Sequence, residues 1–436
     1  MKKVLVITYY WPPGGGAGVQ RWLKFVKYLR ESGWEPVVYT PSNPEHPVND
    51  ESLLKDIPAN LEVLRTPIWE PYDAYKKLTG RKKDDRLGAG MLSEKKKGGF
   101  AESLSMWVRG NFFIPDARKF WIKPSVKYLA EYLAKNPVDA LVSTGPPHSM
   151  HLIALGLKER FPQLRWIADF RDPWTNIDFY HELKLSAWAD RKHHRLERAV
   201  LDRADVVVSV GETMSEELRA LASPGKQDAA RFRVITNGYD EEDVYKGPLE
   251  KDARFSLAHI GTLGKARNPG ALWEALQELI AEHKDLAADL EIKFVGKVDA
   301  SVLHALEQHK LSSYVNKIDY LRHTEATRVQ QESHALLLLV NNTPNAKGIL
   351  TGKFFEYMAS GTPVLAIGPP DGDLAKIIHE TQSGLIADFN DVAALKRHVL
   401  HLYGIYKQKG VSAKGKNIEK YSRRELTKEM AKLLEK

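Results

Sequence analysis

Short apolar segments alternate with helix-like segments along almost the whole chain of 436 residues. The pattern opens with an apolar run at 3–8, continues with a helical apolar spacing at 19–32, and returns to an apolar run at 36–40. Two parallel strands need a long crossover connection, which is usually a helix and almost always right-handed. Strict alternation therefore predicts parallel sheets with helices on both faces, an α/β fold of the doubly wound type.

The alternation falls into two series. In the first, strands are expected at 3–8, 36–40, 61–65, 140–143, 165–169, 206–210 and 233–236, helices at 19–32, 50–59, 121–135, 149–160, 186–204 and 215–222, and an irregular stretch at 69–111. In the second, strands are expected at 256–260, 291–295, 318–320, 335–340, 364–367 and 385–387, and helices at 270–283, 302–310, 326–333 and 425–435. The polar, Gly- and Pro-containing segment that starts at Asn237 separates them and predicts a linker. Two such domains would leave a cleft between their carboxyl edges.

Composition excludes some classes of protein and favours one kind of surface. The chain has no cysteine, which excludes disulfides and thiolate metal sites and fits a reducing cytoplasm. No apolar run approaches the roughly 20 residues that span a bilayer, and the short apolar N-terminus does not resemble a signal peptide. The net charge of +8 is concentrated in 81–83, 95–97 and 118–127. Aromatic residues are interspersed with these basic segments: Tyr72, Tyr75, Phe100, Trp107, Phe112, Phe113, Phe120 and Trp121.

Basic and aromatic residues together favour an anionic membrane surface or a phosphorylated lipid as a partner. A solvated loop with scattered core aromatics is the alternative. No motif typical of nucleic-acid binding is present, so nucleic acid is not expected as a partner.

The segment 347–366, KGILTGKFFEYMASGTPVLA, carries the clearest candidate site. Thr351 is expected to cap a short helix that ends near Gly361, before a buried strand. The positive end of such a helix lies at the carboxyl edge of the sheet, where anions bind. Lys353 suits a phosphate, and Glu356, three residues on and therefore on the same face, suits a ribose diol. The alternative is a surface helix with a solvated lysine and glutamate.

Two glycine-rich turns connect a strand to a helix. In the first, at 12–18, Gly15 and Gly16 would let backbone N–H groups approach a phosphate or sugar. The second follows the strand at 256–260, contains Gly261, and carries the cations Lys265 and Arg267. Positive charge there would favour a departing diphosphate. A flexible loop and solvated cations are the corresponding alternatives.

Polar groups also follow two strands of the first series. Asp169 and Asp172, with Arg171 between them, are candidates for contacting substrate hydroxyls and a phosphate, although Asp172 precedes a proline and could simply cap a helix. His148 is the first candidate for an imidazole near the transferred sugar, with His151 second. An ordinary histidine at a helix start is the alternative for His148. No His, Asp and Glu set has metal-ligand spacing, so no metal site is predicted.

Together these segments resemble the motifs of family 4 glycosyltransferases. The similar motifs are the "PSKxFEYMAxGxPVLA" donor motif at 351–366, "DxRDxW" at 169–174, the "TSPP" turn at 143–148 and "NGxD" at 237–240. The resemblance implies a GT-B fold, in which two doubly wound Rossmann-like domains face a cleft and the last helix crosses back to the first domain. It implies an acceptor domain at 1–238 plus 422–436 and a nucleotide-sugar domain at 239–421.

The resemblance also implies an activity. A retaining enzyme would transfer a sugar from a nucleotide-diphosphate sugar to a saccharide or lipid-linked acceptor of bacterial surface glycan synthesis, with no metal or other cofactor. It would be cytoplasmic, with possible peripheral contact to the inner face of the plasma membrane. Lys265, Arg267 and Lys353 would stabilise the departing diphosphate, and Glu356 would hold ribose. His148, Asp169 and Asp172 would shape the acceptor side, together with the 12–18 turn.

One position departs from the family pattern. Many family 4 enzymes carry a second glutamate eight residues before the nucleotide-binding one, and here that position is Gly348. Backbone N–H groups of 347–349 are expected to reach the sugar instead, so Gly348, Ile349 and Leu350 are predicted donor-site residues with Thr351. The departure leaves open a catalytically silent subunit that binds nucleotide sugars. A GT-B sugar-nucleotide epimerase is a separate alternative, which would need acid/base carboxylates and histidines in the cleft, and the chain offers few candidates.

Overall fold

The computed structural model describes residues 1–46, 48–70, 100–408 and 415–435. The chain divides into two compact units. Unit 1 comprises Met1–Thr236 and Arg424–Lys436, and unit 2 comprises Asn237–Arg423. Within the described ranges, no helix is both long enough and apolar enough to cross a membrane.

Unit 1 is built on a parallel sheet of seven strands in the order β3-β2-β1-β4-β5-β6-β7. The strands are β1 Lys2–Ile7, β2 Trp34–Pro41, β3 Glu62–Thr66, β4 Ala140–Gly145, β5 Arg165–Phe170, β6 Val206–Ser209 and β7 Phe232–Val234. Its helices are α1 Ala17–Leu29, α2 Phe100–Phe112, α3 Lys119–Lys135, α4 Ser149–Arg160, α5 Ala187–Arg203 and α6 Glu212–Leu221. The final helix, α14 Arg423–Leu434, lies almost entirely in this unit.

Helices cover both faces of the central strand β1 because its residues are apolar on both sides. Val4 and Val6 pack toward α1 and the final helix, in a cluster that includes Met430. Leu5 and Ile7 pack toward α3 and α4 on the opposite face. Side chains alternate between the two faces of a strand, so a continuous apolar run requires cover on both.

Unit 2 repeats the architecture with six parallel strands in the order β10-β9-β8-β11-β12-β13. The strands are β8 Phe255–Ile260, β9 Leu290–Val295, β10 Val315–Ile318, β11 Ala335–Leu339, β12 Val364–Ile367 and β13 Gly384–Ala387. The helices are α7 Gly270–Glu282, α8 Lys284–Asp289, α9 Ala300–Gln308, α10 His323–Glu332, α11 Gly352–Ser360, α12 Asp373–Thr381 and α13 Val392–Lys407. Helix α11 packs on one face of this sheet, against Leu336 and Leu338.

The predicted α/β fold with two doubly wound sheets is confirmed, and three local predictions are wrong. A helix, α2, occupies the end of the stretch 69–111 that was expected to be irregular. A short 3-10 helix, Glu51–Asp56, replaces the longer helix expected at 50–59. Strand β10 ends at Ile318 instead of beginning there.

The predicted basic and aromatic segment is only partly described. Tyr72, Tyr75 and the cations at 81–83 and 95–97 lie outside the described residues, as does the side chain of Phe100. Trp121 is a core residue, 1% exposed and stacked on Tyr39 with 4.8 Å between ring centroids. Trp107, Phe112 and Phe120 are exposed, as a surface role requires.

Candidate functional site

The candidate site in unit 2 is built at the start of α11. Thr351 occupies the N-cap position of this helix, and the helix ends at Gly361, whose φ of 75° suits glycine. The Thr351 side chain makes no capping hydrogen bond, contrary to the prediction, and its Oγ1 is buried without a partner. Space is open beside Gly352, where no heavy atom lies within 4 Å of a built Cβ. The helix therefore begins with an unsatisfied hydroxyl beside open space.

Lys353 is a partly buried cation in the first turn of α11. Its Nζ lies against the Gly261 turn, at 2.7 Å from the position that a Cβ on Gly261 would occupy. Gly261 has a φ of +115°, which side-chain-bearing residues rarely adopt, so the backbone conformation favours glycine there. Burial, and to a smaller extent the charge of Arg267, lowers the pKa of Lys353 to about 8. Among the described residues, no hydrogen bond or ion pair satisfies this ammonium group.

Glu356 lies one helical turn after Lys353, as its spacing predicts. Burial raises the pKa of Glu356, opposed by the charges of His323, Lys353 and Arg423 and reinforced by Asp243. Within the described ranges, its carboxylate accepts no hydrogen bond. Helix α11 thus presents a cation and an acceptor that protein groups do not satisfy.

The sequence reasoning missed two residues: Tyr357, which holds this helix against the end of β8, and His259, which is buried within that strand. The Tyr357 hydroxyl accepts a hydrogen bond from the Ile260 N–H at 3.0 Å, and the Tyr357 ring is fully buried. His259 is also buried, with Nδ1 3.0 Å from the Leu337 carbonyl oxygen. Burial, followed by the charge of Lys353, lowers the pKa of His259 to about 3, so it is neutral at physiological pH. The sequence could have indicated Tyr357, because a tyrosine on the buried face of a helix needs a hydrogen-bond partner for its hydroxyl.

The two cations of the second glycine turn lie in different places. Arg267 donates from Nη2 to the Thr262 carbonyl oxygen at 2.9 Å and acts electrostatically on Lys353 and His259. Lys265 is exposed. Hydrogen bonds from Ser301 lower the pKa of Asp299, and the charge of Lys265 contributes to a smaller extent. The structure therefore brings Arg267 and Lys353 together and places Lys265 with Asp299.

The segment before α11 contradicts part of the prediction. The Gly348 N–H donates to the Asn345 carbonyl oxygen at 3.0 Å, and the Ile349 N–H donates to that of Ala346 at 3.1 Å. The Leu350 side chain is buried in the core, 6% exposed. These N–H groups are used within a 3-10 turn, Ala346–Gly348, so they are not free donors for a sugar.

In unit 1, the first glycine turn packs against another loop of the protein. The Gly15 N–H donates to the Val48 carbonyl oxygen at 2.8 Å, which is contrary to a phosphate-binding role. A Cβ on Gly14 would lie 2.4 Å from the His46 ring, and one on Gly15 would lie 2.9 Å from the Asp50 Cβ. Close approach of His46, Val48 and Asp50 therefore explains Gly14 and Gly15. Gly16, with φ +93° and open space around it, caps the start of α1.

Asp169 is a structural carboxylate, which corrects the predicted contact with substrate hydroxyls. It is fully buried and accepts hydrogen bonds from Arg21 Nη2 at 2.8 Å, Trp22 Nε1 at 2.7 Å and Thr144 Oγ1 at 3.0 Å. Burial opposes its ionisation, but the Arg21 charge and these hydrogen bonds outweigh burial and hold the pKa of Asp169 below its usual value. Both carboxylate oxygens accept from protein donors, and neither is exposed to solvent.

Arg171, Asp172 and His148 lie where β4 and β5 end. Arg171 donates from Nη1 to the Gly18 carbonyl oxygen at 2.7 Å and from Nη2 to that of Pro146, so it joins two turns. Asp172 is exposed. The His148 ring stacks on Trp174 with 4.7 Å between centroids, and its Nδ1 is buried without a partner. Burial, followed by His151 and Arg171, holds the pKa of His148 well below its usual value.

His151 is fixed by a hydrogen-bond chain. Trp166 Nε1 donates to Ser143 Oγ at 2.9 Å, and Ser143 Oγ lies 2.8 Å from His151 Nδ1. Burial lowers the pKa of His151 to about 3. In the part of the chain that the structure describes, no group of three or more His, Cys, Asp or Glu residues is placed to hold a metal ion.

Comparisons with solved structures agree on the fold. The apo form of the lipopolysaccharide outer core galactosyltransferase WaaB has a TM-score of 0.56 at 12% identity, covering 100% of this chain and 99% of that one. An E. coli structure described as trehalose-6-phosphate bound with UDP-2-fluoro glucose has a TM-score of 0.56 at 11% identity, with coverages of 100% and 99%. A Listeria monocytogenes protein assigned as a UDP-N-acetylglucosamine 2-epimerase has a TM-score of 0.53 at 13% identity, with coverages of 98% and 94%. At these identities the similarity shows the fold alone.

Two family models match consecutive parts of the sequence. The glycosyl transferase 4-like domain matches residues 98–238, and the glycosyl transferases group 1 model matches residues 254–404, so together they cover two thirds of the chain. No curated protein matches the chain in sequence. The two family matches follow each other in the order of the two units, and the solved structures share the GT-B architecture. The chain therefore belongs to the group 1 glycosyltransferases, enzymes of the GT-B fold.

Proposed function

We propose that unit 2 binds the diphosphate and ribose of a nucleotide sugar at the start of α11. One observation carries this proposal: the Thr351 hydroxyl, the Lys353 ammonium and the Glu356 carboxylate have no protein hydrogen-bond partner among the described residues. Buried polar groups such as the Thr351 hydroxyl are nearly always paired in native proteins, and the partly buried Lys353 and Glu356 lie on the same helix. A ligand that carries an anion and a vicinal diol would satisfy the cation and the carboxylate together.

The chemistry follows from these groups. The acceptor hydroxyl oxygen forms a bond to the anomeric carbon, the bond from that carbon to the diphosphate oxygen breaks, and the hydroxyl proton passes to the departing diphosphate. Lys353 and Arg267, with the free N–H groups of the helix start, stabilise the negative charge that develops on the leaving group. Glu356 accepts from the ribose hydroxyls. Lys265, placed with Asp299, takes no part in this scheme.

We further propose that the transfer retains the anomeric configuration and that unit 1 supplies the acceptor side. The resemblance to family 4 enzymes supports retention. Asp172, which is exposed, and His148, whose buried Nδ1 is unpartnered, are the unit 1 candidates for contacting substrate. The acceptor is a saccharide or lipid-linked intermediate of bacterial surface glycan synthesis, and the donor is used without a cofactor.

Isothermal titration with UDP, GDP and ADP tests the donor site. We expect at least one diphosphate to bind, and Glu356→Gln and Lys353→Met each to weaken it by about 10- to 100-fold, since hydrogen bonds to charged groups contribute about 1.5–3 kcal/mol. Lys347→Met is the matched control, because Lys347 is an exposed lysine paired with Asp371. Equal affinities for the wild type and all three variants, or no binding at all, would refute the placement of the site.

Product analysis with sugar nucleotides distinguishes the activities. Slow release of free sugar, or transfer to a supplied acceptor, supports a transferase, and the anomeric configuration of the product tests retention. A changed epimer of the donor would identify an epimerase. Diphosphate binding without any turnover would identify a silent nucleotide-sugar-binding subunit.

A further inference from the structure

Unit 1 exposes a group of aromatic side chains that lie next to one another. Trp69 is 61% exposed, Phe112 58% and Trp188 57%, values far above those of core aromatics. Trp69 packs edge-to-face on Phe120 at 4.8 Å, and Trp107 packs in the same way on Phe112 at 5.7 Å. Large exposed apolar patches mark interaction sites in soluble proteins.

Cations join these aromatic pairs into one surface. Lys119 Nζ lies over the Phe120 ring at 4.9 Å and donates to the Phe112 carbonyl oxygen. Helix α2, which carries Trp107 and Phe112, packs against α5. Burial and the charge of Lys192 on α5 also lower the pKa of Lys119. Lys192 Nζ in turn lies over Trp188 at 4.8 Å. We call this the aromatic–basic surface: Trp69, Trp107, Phe112, Phe120 and Trp188, with Lys119, Arg191, Lys192 and Arg195.

Helix α5 extends the positive charge beyond the aromatic rings. Trp188, Arg191, Lys192, Arg195 and Arg198 line a groove of about 500 Å³ along this helix, with His194. Two of the three acidic residues of this helix do not line the groove: Glu197 is buried against Thr175, and Asp202 accepts from Ser223. The third, Asp190, accepts from the Tyr180 hydroxyl at 3.0 Å and lies 3.5 Å from His194 Nε2, so one partly exposed carboxylate stands against four cations. The net field of the groove is therefore positive.

Two contacts join the segments that lie under this surface. The Ser186 N–H donates to Asn111 Oδ1 at 2.7 Å, which ties the start of α5 to the end of α2. A Cβ on Gly110 would lie 2.7 Å from the Leu183 carbonyl oxygen, so the two segments are in close contact. The end of α2, which carries Phe112, and the start of α5, which carries Trp188, are therefore joined directly.

We propose that the aromatic–basic surface docks unit 1 on a bilayer that contains anionic lipids. Exposed tryptophan and phenylalanine rings gain free energy in the interfacial region of a bilayer, and lysine and arginine side chains reach its anionic headgroups. The rings pack on one another edge-to-face, at 80° for Trp69 with Phe120 and 70° for Trp107 with Phe112. They form a compact apolar mass, whereas nucleic acid needs flat ring faces on which bases stack. The proposal deepens the proposed function, because a lipid-linked acceptor would be presented at such a surface.

Vesicle co-sedimentation of the full chain tests the proposal. We expect binding to phosphatidylcholine vesicles that contain about 30% phosphatidylglycerol, an anionic lipid. We expect little binding to vesicles of pure phosphatidylcholine. Replacement of Arg191, Lys192 and Arg195 by glutamine should lower the partition coefficient by about 100-fold, since each cation at an anionic surface contributes about 1 kcal/mol. Trp188→Ser combined with Phe112→Ser should lower it by about 10-fold or more while leaving the salt dependence in place.

The matched control carries the same change in net charge on unit 2. Lys284, Lys310 and Lys317 are exposed, and their triple replacement by glutamine should leave vesicle binding within about twofold of the wild type. Equal losses in both triple variants would show a general charge effect and overturn the proposal. So would absence of vesicle binding at low salt, or tighter binding to duplex DNA or RNA of equal charge. The affinity of the α5 triple variant for nucleoside diphosphates should stay unchanged. Loss of the membrane proposal would therefore not affect the proposed donor site.

Discussion

Asp169→Ala is expected to destabilise unit 1, because the carboxylate is the only anion in contact with the buried guanidinium of Arg21 among the described residues. Both side chains are at most 1% exposed. Removing one partner of a buried ion pair leaves the other charge uncompensated, which costs about 3–5 kcal/mol. Two neutral donors, Trp22 Nε1 and Thr144 Oγ1, also lose their acceptor, at about 1 kcal/mol each.

Other contacts of Arg21 reduce that cost. Its Nη1 donates to the Thr236 carbonyl oxygen at 2.7 Å and its Nη2 to that of Ile235 at 2.8 Å, and both bonds survive the substitution. We therefore expect a loss of about 3–5 kcal/mol in total, within the range for breaking the pair alone. Replacing both members by apolar residues, Arg21→Met with Asp169→Leu, should cost less than the sum of the single changes.

Tryptophan fluorescence in urea gives a suitable assay. Nine of the ten tryptophans lie in the residues of unit 1, and Trp273 lies in unit 2, so the signal reports mainly unit 1. Asp172→Ala removes an exposed carboxylate three residues away and should shift the unfolding free energy by no more than about 0.5 kcal/mol. An Asp169→Ala protein that unfolds at the urea concentration of the wild type, yet has lost activity, would refute the structural role and restore Asp169 as a substrate-contacting group.

The same carboxylate has a pH signature. The folded pKa of Asp169 is lowered, so its contribution to stability is present above the unfolded pKa of about 4 and is lost as pH falls through the folded value. Wild-type unit 1 should therefore lose stability below about pH 4 by an increment that Asp169→Ala lacks. Parallel losses of stability in both proteins over that range would contradict the reasoning.

Three further predictions concern unit 2. With a pKa of about 8, Lys353 loses its charge as pH rises from 7 to 9, so nucleoside diphosphate affinity should fall about tenfold in titration calorimetry, and Lys353→Arg should flatten this dependence. Tyr357→Phe leaves the Ile260 N–H without its acceptor and should lower the unfolding free energy by about 1–3 kcal/mol in calorimetry; no change would show that water replaces the hydroxyl. Gly261→Ala should weaken diphosphate binding, since its φ of +115° would be strained and its Cβ would displace the Lys353 ammonium from the turn. Gly33→Ala, at φ +81° with open space around it, should keep full binding.

Local chemistry made much of the fold and part of the candidate site predictable. Strand alternation identified both sheets because parallel strands buried on two faces must be apolar throughout. The helix period put Lys353 and Glu356 on one face, and Gly361 marked the helix end through its positive φ. These inferences depend on residues a few positions apart, where backbone geometry fixes the outcome.

The wrong predictions depend on partners far along the chain. Arg21 lies 148 positions before Asp169, and nothing in the strand-end motif distinguishes a buried carboxylate with a distant arginine from one that faces substrate. The glycines at 14 and 15 would look the same in sequence whether a ligand or the side chains of His46 and Asp50 came close to them. Lys265 and Arg267 are two residues apart in the same 3-10 turn, Lys265–Arg267. The charge of Lys265 acts on Asp299, whereas that of Arg267 acts on Lys353, and the sequence does not distinguish the two.

The state of Lys353 links the stability of unit 2 to its ligand. A partly buried ammonium without a protein acceptor is disfavoured by desolvation, and this is why its pKa falls to about 8. An anion bound beside it removes that penalty, so the bound form should raise the pKa of Lys353 and take up protons near pH 8. Titration calorimetry in buffers of different ionisation enthalpy measures this uptake, and Lys353→Met, which keeps the bulk of the side chain, should abolish it. Proton uptake that persists in Lys353→Met would assign the coupling to another group and remove the electrostatic argument for the site at α11.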